Sequence, residues 1–264
     1  VTVRTTIEKA RAEGRAALIG YLPVGFPDVE TSIAAMRAMV AGGVDIVEVG
    51  LPYSDPLMDG PVIQRATEVA LAGGTQTRDA FTAVRGVVDA GAPALVMTYW
   101  NLIDRYGVSR FASDLAAAGG SGLITPDLIP DEAAQWQTAS DAHDLDRVYL
   151  VALTSTPDRL AMTAKASRGF VYAASLMGVT GERASVGAGA KELVDRVKAV
   201  TDVPVCVGLG VSNGAQAAEV AAFADGVIVG SAFVRALANA PGPRAGVAAV
   251  EAIARDLAAG IRST

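Results

Sequence analysis

Eight short apolar runs alternate with longer stretches of helical periodicity, no Pro- or Ser-rich linker divides them, and together these features predict an α/β protein: a single (β/α)8 (TIM) barrel with an extra N-terminal helix. The length of 264 residues fits one such barrel, so residues 1–264 are expected to form one domain. An open doubly wound sheet is the alternative that the same alternation allows. Right-handed crossovers between eight parallel strands favour closure.

The expected strands are Ala17–Tyr21, Val44–Val49, Ala94–Thr98, Gly122–Thr125, Val148–Leu153, Phe170–Ala174, Val205–Leu209 and Gly226–Val229. Most are continuous apolar runs, as parallel strands covered on both faces require. Between them, Val29, Ile33, Met36 and Val40 recur on one helical face, as do Val247, Val250, Ile253, Leu257 and Ile261. The Gly-dense stretch Gly178–Gly189 follows the sixth run, on the face where barrels build active sites. It is read as a lid, or as an ordinary flexible connection.

Composition narrows the function. The chain is 51% hydrophobic and 19% charged, enough for a large aliphatic core, and carries a formal net charge of −6. That charge argues against broad nucleic-acid or anionic-membrane binding, which needs a field of Lys and Arg. The start of the chain, Val1 to Glu13, mixes Arg, Lys and Glu, and no apolar run is long enough to span a bilayer; a cytoplasmic protein is expected. One cysteine, Cys206, excludes an internal disulfide and a multi-cysteine metal cluster. Cys206 reads as a core residue and the single histidine, His143, as a solvated loop residue, so no metal site is expected.

Two segments carry chemistry. In Val44-Asp-Ile-Val-Glu-Val-Gly-Leu-Pro-Tyr-Ser-Asp-Pro-Leu-Met-Asp-Gly-Pro61, Glu48 lies near the end of the second strand, sharing a face with Val44 and Ile46 while Val47 and Val49 face the helices. With both faces apolar, its carboxyl is costly to hold unless hydrogen-bonded, paired or left partly protonated, and desolvation is expected to drive its pKa toward the range useful for proton transfer; the alternative is a carboxylate that simply reaches solvent at the strand end. Asp55 and Asp59 follow in a Pro-rich loop, where turn capping competes with a catalytic role for each. Asp127, at the end of the fourth strand, is read as shaping the active-site face or capping the next helix. Late in the chain, Val207-Gly-Leu-Gly-Val-Ser212 and Val229-Gly-Ser-Ala-Phe-Val234 follow the last two strands. Small residues there let backbone N–H groups and a helix N-terminus hold a phosphate without a basic side chain. Gly178-Val-Thr-Gly181 could extend that cradle.

The blocks Gly20-Tyr-Leu-Pro-Val-Gly-Phe-Pro-Asp28, Glu48 to Pro61, Tyr172-Ala-Ala-Ser-Leu-Met-Gly-Val-Thr-Gly181 and the two phosphate segments occur in an order and spacing that resemble the tryptophan synthase alpha subunits, through nearly the whole chain. The resemblance implies retro-aldol cleavage of indole-3-glycerol phosphate to indole and glyceraldehyde 3-phosphate in tryptophan biosynthesis, a carbon-carbon lyase reaction. Glu48 matches the catalytic Glu and Asp59 the catalytic Asp that bonds the indole N–H. Tyr99, Tyr172 and Thr180 match substrate-side positions; Gly181, Gly210, Gly230 and Ser231 match the phosphate cradle, with Gly208 just behind it. Asp55 and Asn101 match positions at the surface of a beta subunit, the expected partner in an alpha2beta2 complex. Pyridoxal phosphate is implied for that beta subunit, with no cofactor in this one. Two departures stand out: Leu176-Met-Gly-Val-Thr replaces the Arg-Ser-Gly-Val-Thr of many relatives, and Met58 replaces a common Ala. Another phosphate-binding barrel, such as a sugar-phosphate isomerase or epimerase, and a barrel kept only to activate its partner are the competing readings.

Overall fold

The computed structural model describes residues 2–174, 188–208 and 210–263. Nine strand segments run parallel: β1 (Ala17–Pro23), β2 (Ile46–Gly50), β3 (Ala94–Met97), β4 (Gly122–Ile124), β5 (Asp146–Val148), β6 (Leu150–Ala152), β7 (Val171–Ala174), β8 (Val205–Gly208) and β9 (Gly226–Val229). Their order in the sheet is β5-β4-β3-β2-β1-β9-β8-β7-β6. The predicted fifth strand, Val148–Leu153, begins two residues earlier and is divided at Tyr149. Its two halves serve opposite neighbours, Ile124 pairing with Val148 on one side and Leu150 with Tyr172 on the other. The Tyr172 amide donates to the Tyr149 carbonyl at 3.1 Å across the division. Side chains also keep alternating through it: Val148 and Leu150 face inward, Tyr149 and Val151 outward. The stretch is therefore one strand that closes the sheet into a (β/α)8 barrel.

Closure separates two apolar layers. Ala17, Ile19, Ile46, Leu95, Ile124, Phe170, Cys206 and Ile228 fill the barrel interior. Alternate residues of the same strands, Leu18, Val47, Val49, Val96, Leu123 and Val207, pack outward against the helices. Val44 joins this outer layer instead of sharing the inner face with Ile46 and Glu48. The strand starts only at Ile46, because Asp45 is anchored below it: its carboxylate accepts from the Leu18 amide at 2.8 Å and from Arg15 at 2.7 and 2.9 Å.

The expected N-terminal helix is Val3–Ala12, and it plugs the barrel. Val3, Ile7 and Ala10 fall on one helical face and enter the inner cluster from the strands' N-terminal end. Its start is fixed by a reciprocal cap, Thr2 Oγ1 accepting from the Thr5 amide at 3.1 Å and Thr5 Oγ1 from the Thr2 amide at 3.0 Å. With that end filled, the described residues leave the barrel open at the strands' C-termini. Of the outer helices, Val29–Gly42 buries Ser32, Ala35, Met36 and Met39, so its buried stripe is rotated from the predicted one and Val29, Ile33 and Val40 pack at its edge. Pro243–Arg262 buries Val250, Leu257 and Ile261 as its periodicity predicts, with Val247 and Ile253 partly covered. No helix among the described residues is long and apolar enough to cross a membrane.

Candidate active site

At the C-terminal mouth the inward alternation of β2 places Glu48 one layer above Ile46, level with Tyr21 of β1 and Leu95 of β3. Its side chain is 0% exposed, and neither carboxyl oxygen has a hydrogen-bond partner among the described residues. Burial alone pushes its pKa from 4.5 to about 8. A carboxyl in that state holds its proton at neutral pH and releases it readily, which is what a group that must both give and take a proton requires.

Glu48 opens on a pocket of about 200 Å³. Tyr21, Tyr172, Asp59 and Ser231 supply the other polar side chains, and Met58, Ile63, Met97, Leu150 and Ile228 supply apolar wall. Two tyrosines reach the mouth over glycines. A side chain at Gly50 would lie 2.5 Å from the Tyr21 hydroxyl, and one at Gly208 would lie 2.6 Å from that of Tyr172. Both glycines are thus the space into which a tyrosine leans from the neighbouring strand. Desolvation, together with the negative charges of Glu48 and Asp59, holds both phenols well above their ordinary pKa.

Asp59 comes from the loop after β2 and is partly buried. Burial raises its pKa, and a hydrogen bond from Tyr99 opposes the rise. Gln64 Nε2 donates to the Asp59 carbonyl at 2.8 Å, tying the loop to the start of the helix Pro61–Ala72. Opposite, the helix Ser231–Ala238 begins without a side-chain cap among the described residues, with Gly230 as its N-cap; the Phe233 amide donates to the Gly230 carbonyl at 3.0 Å, and the Ser231 and Ala232 amides remain for an anion. Gly230 and Ser231 line the pocket, as do Gly208 and Gly210, the latter at φ +69°.

The structure therefore gathers Glu48, Asp59, Tyr172, Gly208, Gly210, Gly230 and Ser231 around one cavity. Tyr99 is 5% exposed and stands outside that lining, bonded to the Asp59 loop. Asp55 and Asn101 are exposed on the rim, Asp55 accepting from the Ser54 hydroxyl at 2.6 Å. Thr180, Gly181, Leu176 and positions 178–187 of the expected lid lie outside the described residues. Asp127 caps the start of an earlier helix, Trp100–Tyr106, not the following one: its carboxylate accepts from the Trp100 amide at 2.9 and 3.1 Å. Cys206 is buried in the barrel interior and His143 is exposed at a helix end. Sequence reasoning missed Tyr21, Met97, Leu150 and Ile228. Tyr21 was within reach, since it follows Ile19 by two residues on the inner face of a strand end; the other three look like ordinary strand residues until closure assigns them to the mouth.

Fold and site define a (β/α)8 barrel whose strand ends hold a desolvated acid–base pocket, with an uncapped helix N-terminus on the far wall. The family model for the tryptophan synthase alpha chain matches residues 7–262, and the chain belongs to that family. It is 61% identical over 264 residues to the tryptophan synthase alpha chain of Thermobifida fusca (strain YX), covering 99% of this chain and 98% of the relative. It is 63% identical over 255 residues to that of Mycobacterium marinum, covering 97% and 93%. Among solved structures, tryptophan synthase from Mycobacterium tuberculosis superposes with a TM-score of 0.92 at 61% identity over 98% of both chains. The alpha subunit from Legionella pneumophila str. Paris superposes with a TM-score of 0.89 at 31% identity, over 99% of this chain and 98% of that one. The barrel thus persists where two thirds of the residues differ.

Proposed function

We propose that this chain, as one barrel domain over residues 1–264, is a carbon-carbon lyase that cleaves indole-3-glycerol phosphate into indole and glyceraldehyde 3-phosphate in tryptophan biosynthesis. One observation carries the reading: a fully buried carboxyl, Glu48, without a hydrogen-bond partner among the described residues, shares a cavity with a helix N-terminus that those residues leave without a side-chain cap and that suits a phosphate. The phosphate binds the Ser231–Ala238 helix start with Gly208, Gly210, Gly230 and Ser231, and Gly181 extends the cradle. The indole ring lies on the apolar wall of Met97, Leu150 and Ile228. Asp59 accepts from the indole N–H and stabilises the positive charge that develops when C3 is protonated.

Proton movement balances on one residue. Protonated Glu48 gives its proton to indole C3; the resulting carboxylate takes the proton of the side-chain hydroxyl on the adjacent carbon. As that hydroxyl becomes the aldehyde, the bond to C3 breaks, its electron pair restores the indole, and Glu48 ends protonated as it began. Tyr172 positions Glu48 or the substrate, and Thr180 helps close the site. Pyridoxal phosphate chemistry belongs to the beta subunit, and the cleavage proceeds with this chain's own acid–base groups.

The partner is a tryptophan synthase beta subunit, in an alpha2beta2 complex. Leu57, Ile129 and Leu153 are 81%, 41% and 39% exposed. They follow β2, β4 and β6, so all three stand on the open face with Asp55 and Asn101, an apolar set with a polar fringe suited to a protein partner. A reducing compartment, the cytoplasm, is the location proposed, and the single free thiol is consistent with it. Indole release from indole-3-glycerol phosphate, measured with and without the beta subunit, tests the proposal. The wild-type chain is expected to release indole, faster with the partner, and Glu48→Gln to lose about a hundredfold or more with its fold intact. Near-wild-type release by Glu48→Gln refutes the assignment.

A further inference from the structure

We propose that Tyr99 is the positioning residue of Asp59: its hydroxyl, held by two amides of the loop after β2, is aimed to fix the Asp59 carboxylate at the edge of the pocket. The Tyr99 oxygen accepts from the Leu57 amide at 3.0 Å and from the Met58 amide at 3.0 Å, and lies 3.4 Å from Asp59 Oδ2. A phenol has one proton and two acceptor sites. Backbone amides only donate, so Leu57 and Met58 occupy both acceptor sites and the single proton is left for Asp59. The direction of the third bond follows from this count without seeing the hydrogen.

Three consecutive residues, Leu57, Met58 and Asp59, are thereby tied to one atom that does not move with them. Tyr99 begins the helix Trp100–Tyr106 as its N-cap, and its ring packs on Tyr53 at 5.0 Å between centroids. Leu57 and Met58 are exposed, so their side chains do little to hold the loop; the Gln64 bond fixes the Asp59 carbonyl, and Tyr99 is the group that reaches its carboxylate. At 3.4 Å the bond to Asp59 is long for O–H to O, and it gains strength if the loop tightens around a bound indole. Donation favours the ionised carboxylate, opposing the burial that favours the neutral acid. The other groups facing Asp59 are Tyr21 and Tyr172, both protonated far above neutrality, and Glu48; no Lys, Arg or His stands among the described lining residues. Removal of the Tyr99 hydroxyl therefore acts on Asp59 with no neighbouring cation to compensate.

The inference rests on Asp59 contacting substrate, and the two can be tested apart. Tyr99→Phe keeps the ring and its packing. The carboxyl titration of Asp59, followed by NMR in full-length chain carrying ¹³C-labelled aspartate, is expected to move to higher pH in Tyr99→Phe. In parallel kcat is expected to fall about tenfold, with KM for indole-3-glycerol phosphate changed less than about threefold, as loss of a positioned group predicts. An Asp59 titration identical in the two proteins overturns the proposal, whatever the rate does. A raised KM with unchanged kcat also overturns it, making Tyr99 a wall of the binding site. Wild-type turnover by Asp59→Asn would instead remove the catalytic role of Asp59, leaving the titration to decide on Tyr99.

Discussion

Glu48 could have been solvated at small cost had the side chain pointed outward at the rim; the barrel instead holds it inside, on the same face as Ile46, with no donor to either oxygen among the described residues. Desolvation then does what a neighbouring charge does in other sites, setting a proton affinity near the working pH. Because the proposed cycle begins with Glu48 protonated, kcat/KM for indole release is expected to fall as pH rises through about 8, the value to which burial pushes this carboxyl. A pH profile flat from 7 to 9.5 would show that its protonation state does not govern the reaction. Asp59 differs in kind. Its partial exposure and its bond from Tyr99 keep it closer to an ordinary carboxylate, so two acids in one cavity are given different work.

Strand ends and helix starts deliver these groups. Gly50 closes β2 two residues beyond Glu48, and Tyr21 fills the space where a side chain would be; Gly230 presses on the same ring, a Cβ there lying 3.0 Å from Tyr21 Cδ1. Trapped between two glycines, Tyr21 has little freedom to yield. Gly50→Ala is therefore expected to destabilise by about 1–3 kcal/mol, as overpacking does, and to lower kcat by displacing Tyr21 across the pocket. Urea unfolding and steady-state kinetics on the same variant read both effects; unchanged values would mean the ring moves aside freely. The helix Ser231–Ala238 gives the second test at this scale. Its uncapped start favours an anion, so Ser231→Asp, which installs one, is expected to raise KM for the phosphorylated substrate about tenfold or more while sparing the fold. An unchanged KM would place the phosphate elsewhere.

Across the whole molecule, the N-terminal end of the barrel is filled and cross-tied, and the C-terminal end holds the cavity proposed for the chemistry. Below, the Val3–Ala12 helix plugs the interior, and aspartates join neighbouring strands: Asp45 to the Leu18 amide, Asp225 to the Val205 amide at 2.9 Å and to Arg11 and Lys198 at 2.8 and 3.1 Å. Above, Glu48 works against folding. Its folded pKa of about 8 exceeds its ordinary 4.5, so between those values the native state binds a proton that the unfolded chain releases, and stability declines as pH rises across that window. Complete ionisation costs on the order of 5 kcal/mol, from about 1.4 kcal/mol per pKa unit. Glu48→Gln has no proton to lose. Its Tm is expected to exceed the wild type's increasingly from pH 5 to pH 9, and a constant difference across that range would show that burial does not set the Glu48 pKa.

The alternation of apolar runs and helical faces determined the barrel class, the N-terminal helix and the approximate place of every strand, because burial on both faces and a 3.6-residue repeat are local requirements written in residue type. Glu48 was legible for the same reason, being a charge in an apolar strand, and the small residues Gly208, Gly210, Gly230 and Ser231 were legible as a group at the strand ends, where an anion is proposed to bind. Tertiary structure alone decided the rest. Only closure put Met97, Leu150 and Ile228 at one mouth, rotated the Val29–Gly42 helix onto Met36 and Met39, and moved Val44 to the outer layer once Asp45 was anchored. Only three dimensions bring the Tyr99 hydroxyl to a loop some forty residues earlier in the chain. A contact between distant residues leaves no periodic mark in the sequence, since it depends on how two strand ends are set side by side and not on what either segment prefers alone.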